Sequence, residues 1–505
     1  MSSGEEDGDT IDSELPLIES VAAETLMYAA NSPHEVQVLA GRVLTIIQRP
    51  VIDLLHLRGF LLSHGLPPPP YCAPSLRSLV WKLLLGVVPP VRVEWQDHLD
   101  QQRKLYDQYV YDLIHEPEII TNLRYGTNTP SPVAGQAANE PSDRGPVERV
   151  LTDDHPLAPP GSPSKWRRFF TDFEIFDQVN KDVFRTRLDM DFFFSRLPTG
   201  KTATVTRRGR CLTEGSLEAP TSPRNHSFVV ANIVSPKTHY DRVCRILFLF
   251  SKLNFGYVQG MNEIIAVIYY TLYSDAVHGH YVEADSFFAF TAIMQEHRDI
   301  FCSTMDECNS GMLGRLRILS DLLSKEDPEI GEHFEQIGLK TDFFAVRWIT
   351  LLLAQEFDLQ SVQILWDAIL SDQSPTAARV ASQKNSLVHF LCVAMIVKVR
   401  SVLLAGDFTD CMNTLQRYPP FEVGDILALA LKLKTGGAGP PLDASASGIS
   451  AILDQEILLA GGDSSNSLED TTTQRPRTLS NLLKLVKDKF NKQPRRYCLC
   501  DEIVH

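Results

Sequence analysis

The spacing of apolar residues is the feature that most restricts the fold of this chain of 505 residues. Outside segments rich in Pro, Gly and Ser, apolar residues recur every three or four positions, which aligns them on one face of an α-helix. We find no series of segments in which apolar and polar residues alternate, as half-buried strands require. The pattern therefore predicts an all-α fold. Its main helical series runs from Asp241 to Lys434 and includes one helix over Thr341 to Phe357.

Changes in composition divide the chain into predicted regions. These are an acidic disordered N-terminal tail at 1–32, a helical domain at 33–435 with disordered insertions at about 126–164 and 200–227, a disordered linker at 436–474, and a basic amphipathic C-terminal tail at 475–505. The insertions are rich in polar residues, Pro and Gly, and bury too little apolar surface to offset the entropy of ordering. The length exceeds the usual size of one hydrophobic core, which favours either one large two-lobed domain or two domains.

The charge and the cysteines exclude several classes of protein. A formal net charge of -15 disfavours sequence-independent binding to nucleic acid, which needs a basic surface to neutralise phosphates. The nine cysteines are scattered, without a CxxC pair or a His–Cys cluster at zinc spacing, which indicates reduced intracellular thiols and no metal site. The start lacks a secretory signal, and no apolar run approaches the roughly 18 residues that span a bilayer. We therefore predict a soluble cytoplasmic protein with no nucleic-acid partner.

Three short signatures occur in order within the helical domain. They are Arg77–Trp81 (RSLVW), Val179–Arg185 (VNKDVFR) and Tyr257–Glu263 (YVQGMNE). Each alone has an ordinary explanation, since an Asp-x-x-Arg pair on a helix is usually a surface ion pair that contributes under ~1 kcal/mol. Together they resemble the RxxxW, IxxDxxR and YxQ motifs of the TBC-domain family of Rab GTPase activators. Longer passages such as TDFFAVRWITLLLAQEF extend the resemblance over Leu44 to Lys434. Within the family, they resemble most the subfamily called TBC domain family member 13.

This resemblance implies a two-lobed all-α TBC (Rab-GAP) domain. The chain would be a GTPase-activating protein for a Rab-type small GTPase in vesicle trafficking, and an activator rather than an enzyme, because its catalytic residues act in trans. No cofactor would belong to it, since GTP and Mg²⁺ are bound by the partner GTPase. The matching positions make Arg185 an arginine finger and Gln259 a glutamine finger that replaces the glutamine of the GTPase. A guanidinium beside the γ-phosphoryl group can contribute about 10³ to 10⁵ in rate.

Further residues of the signatures are assigned supporting roles. Asp182, three residues before Arg185, would lie on the same helix face and hold the guanidinium in place before the GTPase arrives. Tyr257 would pack against the switch region of the GTPase or form a hydrogen bond with it. Gly260 would permit close approach of the backbone.

Arg77 and Trp81 are predicted to pack within the fold rather than to contact nucleotide. They stand four residues apart on one predicted helix. The first lobe is expected to carry this pair together with Asp182 and Arg185. The Tyr257–Gln259 segment is expected near the lobe junction, beside a groove for the switch regions of a Rab.

Departures from the family pattern leave an alternative function open. Val179 stands where the family usually has Ile, which is a small change at a core position. The approach from Leu253 to Tyr257 is shorter than the corresponding family loop, and this would move Gln259. The alternative is a catalytically silent TBC module that binds a GTPase or another protein as an adaptor or scaffold.

The C-terminal tail combines positive charge with an apolar stripe. Between Arg475 and Arg496 there are eight Lys and Arg residues and one acid, Asp488. The residues that fall on one helical face are Leu479, Leu482, Leu483, Val486 and Phe490. Two interpretations stay open: a solvated tail without function, or an interfacial helix on an anionic membrane. The second would attach the protein peripherally to endomembranes, with Cys498 and Cys500 near the lipid and available for acylation.

Overall fold

The described part of the chain is built from helices. The structure is a computed structural model that describes residues 17–114, 165–197, 234–275, 278–302, 305, 308, 310–372 and 386–436. Its α-helices are α1 (Leu17–Ala29), α2 (His34–Ile47), α3 (Leu54–His64), α4 (Pro74–Leu84), α5 (Trp95–Leu113), α6 (Lys165–Val183), α7 (His239–Leu253), α8 (Met261–Tyr273), α9 (Val282–Phe301), α10 (Met312–Glu326), α11 (Pro328–Ile337), α12 (Ala345–Thr350), α13 (Leu359–Asp372), α14 (Leu387–Lys398), α15 (Arg400–Ala405), α16 (Phe408–Gln416) and α17 (Val423–Lys434). Short 3-10 helices occur at Arg92–Glu94, Asp191–Phe194, Gly279–Tyr281 and Thr341–Phe343. Two isolated bridges are the β-type pairings found within the described ranges, so the predicted all-α fold is confirmed.

The chain divides into two compact units, in agreement with the predicted two-lobed fold. Unit 1 comprises Met1–Arg92 and Ala292–His505, and unit 2 comprises Val93–Thr291. The predicted insertions at 126–164 and 200–227, the linker after Gly436 and the basic tail lie outside the described residues. None of the described helices is both long enough and apolar enough to cross a bilayer.

The centre of unit 1 is α14, whose buried residues are all apolar except His389. Its residues from Leu387 to Ile396 are all buried, and it packs against α10, α12, α13 and α17. A helix that is hydrophobic all round must lie in a core rather than on a surface. The tryptophans Trp81, Trp348 and Trp366 are almost completely buried in the same unit.

The expectation of a single helix over Thr341 to Phe357 is wrong. α12 ends at Thr350, and Leu352 and Leu353 follow with φ of 51° and 62°, in the left-handed region that a helix cannot use. This turn buries both leucine side chains and lets the carbonyl of Leu352 accept a hydrogen bond from Trp366 at 3.0 Å. The apolar spacing is kept, but tertiary packing interrupts the helix.

The prediction of a disordered tail is wrong for residues 17–32. They form α1 and the turn after it, and α1 packs against α2 and α4. Its buried residues are Ile18, Val21, Ala22, Thr25 and Ala29. They recur at helical spacing and form an apolar face that needs a partner, which outweighs the acidic character of the segment before it.

A buried carboxylate joins three helices of unit 2. Glu283 at the start of α9 accepts hydrogen bonds from Tyr106 of α5 at 2.7 Å and from Nη2 of Arg245 of α7 at 2.6 Å. Burial alone would raise the pKa of Glu283, but the guanidinium of Arg245 outweighs it and holds the pKa below its usual range. The charged pair fixes α7, which leads directly into the loop before α8.

Candidate functional site

The end of α6 sets the direction of the side chains in the second signature. Phe176, Val179 and Val183 occupy the buried face of the helix, with exposed fractions of 3%, 0% and 3%. Val179 is therefore a core residue, as expected from its place in the signature. With that face fixed, Asp182 is buried at 5% exposure, while the Arg185 side chain just beyond the helix end is 62% exposed.

Asp182 and Arg185 form the ion pair that their spacing predicts. Nη2 of Arg185 donates to Oδ1 of Asp182, and Nε donates to the carbonyl of Lys181 at 3.2 Å. Nη1 has no hydrogen-bond partner among the described residues. The guanidinium is thus held from the protein side while its outer N–H groups face solvent.

Tyr257 binds the same carboxylate from the third signature. Its hydroxyl donates to Oδ2 of Asp182 at 3.0 Å. Burial, reinforced by the negative charge of Asp182, raises the pKa of Tyr257 far above its usual range, so the hydroxyl stays protonated and remains a donor. The hydroxyl is therefore engaged within the chain, and a contact with a partner would fall to the ring.

Gly260 gives the loop before α8 its shape. It is the N-cap of α8, with φ of 106° and ψ of -26°, a left-handed conformation in which any other residue is strained. Its N–H donates to Oδ1 of Asn262 at 3.0 Å. Gly256, at the start of the loop, also has positive φ, at 99°.

Asn262 connects this loop to the end of α6, and the sequence analysis did not identify it. Its Nδ2 donates to Oγ1 of Thr186 at 2.8 Å and lies 3.4 Å from the carbonyl of Asp182. Its Oδ1 accepts from Gly260 and lies 3.2 Å from the Tyr257 hydroxyl. The available signal was a polar amide, followed by Glu263, at the start of a helix whose other residues are mainly apolar and buried.

Gln259 lies on the exposed side of this network. Its side chain is exposed, and it has no hydrogen-bond partner within the described part of the chain. Tyr257, two residues before, is bound to Asp182, and Gly260, directly after, is bound to Asn262. The short loop therefore keeps Gln259 attached on both sides to residues that also hold the end of α6.

Arg77 and Trp81 form a separate, buried cluster in unit 1. Nε of Arg77 lies 3.2 Å from both carboxylate oxygens of Asp367, and Nη1 lies 3.3 Å from Oε1 of Gln363. Nε1 of Trp81 donates to Asp367 at 2.7 Å, and its ring stacks on Trp366 at 5.7 Å. Both side chains are buried, as expected of packing residues.

The expected grouping of the first two signatures in one lobe is wrong. Arg77 and Trp81 belong to unit 1, whereas Asp182 and Arg185 belong to unit 2. The reason is that α4 packs against α13, which follows it by almost 300 residues. The order of signatures along a chain does not show which of them share a core.

The arrangement in unit 2 provides two kinds of polar group for another molecule. Arg185 offers a permanently charged planar donor, and Gln259 offers an amide that both donates and accepts. No group of three or more His, Cys, Asp or Glu residues suited to a metal ion occurs in the described ranges. The network therefore suits stabilisation of negative charge and orientation of a small polar molecule.

Comparisons with known proteins agree with the resemblance seen in the motifs. The family model described as Rab-GTPase-TBC domain matches residues 232–404. The chain is 33% identical over 421 residues to TBC1 domain family member 13 of Homo sapiens, covering 77% of this chain and 96% of that protein. It is 24% identical over 399 residues to TBC1 domain family member 5 of Mus musculus, covering 70% of this chain and 39% of that protein. The crystal structure of the Ypt/Rab-GAP domain of Gyp1p has a similar fold, with a TM-score of 0.51, 19% identity and coverage of 79% and 98%.

Proposed function

Because this chain belongs to the Rab-GTPase-TBC domain family, whose domain implies a Rab GTPase as partner, we propose that it accelerates GTP hydrolysis by supplying Arg185 and Gln259 in trans. The observation that carries the proposal is the exposed Arg185 guanidinium held by the buried carboxylate of Asp182. GTP hydrolysis spreads negative charge over the γ-phosphoryl oxygens in its transition state. A guanidinium that is already aimed and charged stabilises that state without a further cost of ordering.

Arginine suits this role better than lysine would. Its planar fork can bind two phosphoryl oxygens at once and keeps its charge when water is excluded. In this site one edge of the fork is occupied by Asp182 and by the Lys181 carbonyl. The N–H groups of Nη1 remain available for the transferred group.

Gln259 would orient the attacking water. A glutamine amide can accept one hydrogen bond from the water and donate another to a phosphoryl oxygen. The exposure of Gln259 and its attachment through Tyr257 and Gly260 support this assignment. The GTP and Mg²⁺ of the reaction would be bound by the Rab, and the resulting control of Rab activity would serve vesicle trafficking.

The general proposal is tested with a panel of purified Rab proteins. Each is loaded with GTP, and the release of phosphate is measured with and without the full-length chain. Accelerated hydrolysis of one or more Rabs is expected. GTP-dependent binding of a Rab without acceleration would instead support the adaptor or scaffold function, and would contradict the catalytic proposal.

A Rab that lacks its own catalytic glutamine tests Gln259. Because Gln259 would replace that residue, the chain should still stimulate a Rab in which the glutamine is changed to Ala. The Gln259→Ala variant should lose about tenfold or more of this stimulation. Gln101→Ala, an exposed glutamine on α5 of the same unit, is the matched control and should behave like the wild type. If the unmodified chain does not stimulate the altered Rab, Gln259 does not replace the glutamine of the GTPase.

The C-terminal tail is proposed as the membrane-binding segment. The observation is the sequence at 475–496, with eight basic residues against one acid beside an apolar stripe. Full-length protein should sediment with vesicles that contain phosphatidylserine, and binding should weaken as salt increases or anionic lipid decreases. Deletion of 475–505 should abolish this binding. Equal sedimentation of the two proteins would contradict the proposal.

A further inference from the structure

Three large apolar side chains are exposed around Arg185. Phe184 directly precedes it, Leu188 follows three residues later, and Phe194 ends the 3-10 helix Asp191–Phe194. Their exposed fractions are 52%, 65% and 40%. We call Phe184, Leu188 and Phe194 the apolar rim.

The core of unit 2 does not need the apolar rim. Val183 and Phe193, which directly precede the two aromatic residues of the rim, are each buried to 3% exposure. The inward positions of this segment are therefore already filled. Large apolar side chains that are exposed on one surface segment, beside a residue with a proposed function, are typical of an interface.

The two aromatic rings of the rim are held in place. Their centroids lie 5.9 Å apart in an edge-to-face contact. Phe194 also stacks on Tyr240 at 5.8 Å, and Phe184 meets the same ring edge-on at 6.4 Å. The Tyr240 hydroxyl donates to the Asn180 carbonyl at 2.7 Å. Rings that are ordered before a partner arrives lose little conformational entropy on binding.

We propose that the apolar rim is the docking surface for the GTP-bound GTPase, against apolar residues that frame its nucleotide site. This inference rests on the proposed function, because it takes Arg185 as the residue that enters that site. Phe184 adjoins Arg185 and Leu188 lies within one turn of it, with consecutive Cα atoms about 3.8 Å apart. A protein that receives the guanidinium into its nucleotide cleft must therefore cover both neighbours. The rim supplies affinity, and Arg185 supplies catalysis.

The test measures binding separately from hydrolysis. Phe184→Ala and Leu188→Ala are made in the full-length chain, with Leu55→Ala as control, because Leu55 is 71% exposed on α3 of unit 1. Binding to Rabs loaded with a non-hydrolysable GTP analogue gives Kd, and phosphate release gives kcat and KM. Each rim variant should raise Kd and KM about tenfold or more, with kcat at saturation within about twofold of wild type. Phe184→Leu should restore part of the affinity, and Leu55→Ala should change neither value.

Several results would overturn the docking surface. An unchanged Kd in both rim variants would contradict it. A lower kcat at unchanged Kd in Phe184→Ala would also contradict it, because Phe184 would then only position Arg185. A change in self-association on size-exclusion chromatography, without a change in Kd, would assign the rim to a second copy of the chain. If a Rab binds through the rim but the wild type does not accelerate its hydrolysis, the docking surface stands and the catalytic proposal falls. If neither binding nor acceleration occurs with any Rab, both fall.

Discussion

Replacement of Arg185 by Ala is expected to lower the stimulated rate of GTP hydrolysis by about 100-fold or more. Under the proposed function, the substitution removes the guanidinium that would present a permanent positive charge to the γ-phosphoryl oxygens. Folding should be unaffected, because the side chain is 62% exposed and its removal leaves no apolar cavity. Single-turnover phosphate release from the cognate Rab, at saturating concentrations of the chain, measures the effect on kcat.

Two further variants make this result specific to the guanidinium. Lys181→Ala removes a cation from the preceding turn of α6, where the side chain is 63% exposed and paired with Asp177, and it should leave stimulation near the wild-type level. Arg185→Lys keeps the charge but loses the planar fork, and should recover only a small part of the lost rate. Stimulation by Arg185→Ala at the wild-type level, on a Rab that the unmodified chain accelerates, would remove Arg185 from catalysis.

Replacement of Asp367 by Ala should lower the free energy of unfolding of unit 1 by about 3–5 kcal/mol. The change leaves the guanidinium of Arg77 buried, at 6% exposure, without its counter-ion, and removes the acceptor of the Trp81 indole N–H. Urea unfolding followed by tryptophan fluorescence reports on unit 1 through three of the five tryptophans, Trp81, Trp348 and Trp366. Trp81 and Trp366 stack within it, so their emission should change in the same transition.

The expected loss of stability depends on the burial of the Arg77–Asp367 ion pair. Two further variants test this dependence. Asp367→Asn keeps an oxygen for Trp81 but loses the charge, so its loss of stability should lie between the wild type and Asp367→Ala. Lys325→Ala disrupts the exposed ion pair with Glu326, where the lysine is 74% exposed, and should cost less than about 1 kcal/mol. Equal urea midpoints for Asp367→Ala and Lys325→Ala would show that the Arg77 cluster contributes little to stability.

The helical fold could be predicted because its signal is local. Apolar spacing predicted an all-α fold with a helical series from Asp241 to Lys434, and the helices from α7 to α17 lie along that part of the chain in the structure. Apolar spacing could not locate the turn at Leu352 and Leu353. The positive φ angles of these residues depend on the burial of both side chains and on the hydrogen bond that Trp366 donates to the Leu352 carbonyl. Nor was α1 predicted, since its apolar face becomes decisive only against α2 and α4.

In the site, too, a contact between residues close in sequence could be predicted, whereas contacts between residues distant in sequence could not. The pairing of Asp182 with Arg185 could be predicted because Arg185 stands three positions after Asp182, which is helical spacing. The bond from Tyr257 to Asp182 joins residues 75 positions apart, and no spacing rule indicates it. Asn262 was missed for the same reason, since its partners Asp182, on α6, and Thr186, just after α6, are set by the packing of α6 on α8.

The shared acceptor at Asp182 means that the second and third signatures are thermodynamically coupled. One carboxylate receives Arg185 on Oδ1 and Tyr257 on Oδ2. Loss of either donor changes the orientation of the Asp182 carboxylate and the balance of charge around it, and so changes the hydrogen bond to the other donor. The free-energy effect of substituting both donors should therefore differ from the sum of the two single effects. Arg185, Asp182 and Tyr257 therefore form one energetic unit, and a substitution at one of them should change the free-energy cost of substituting the other two.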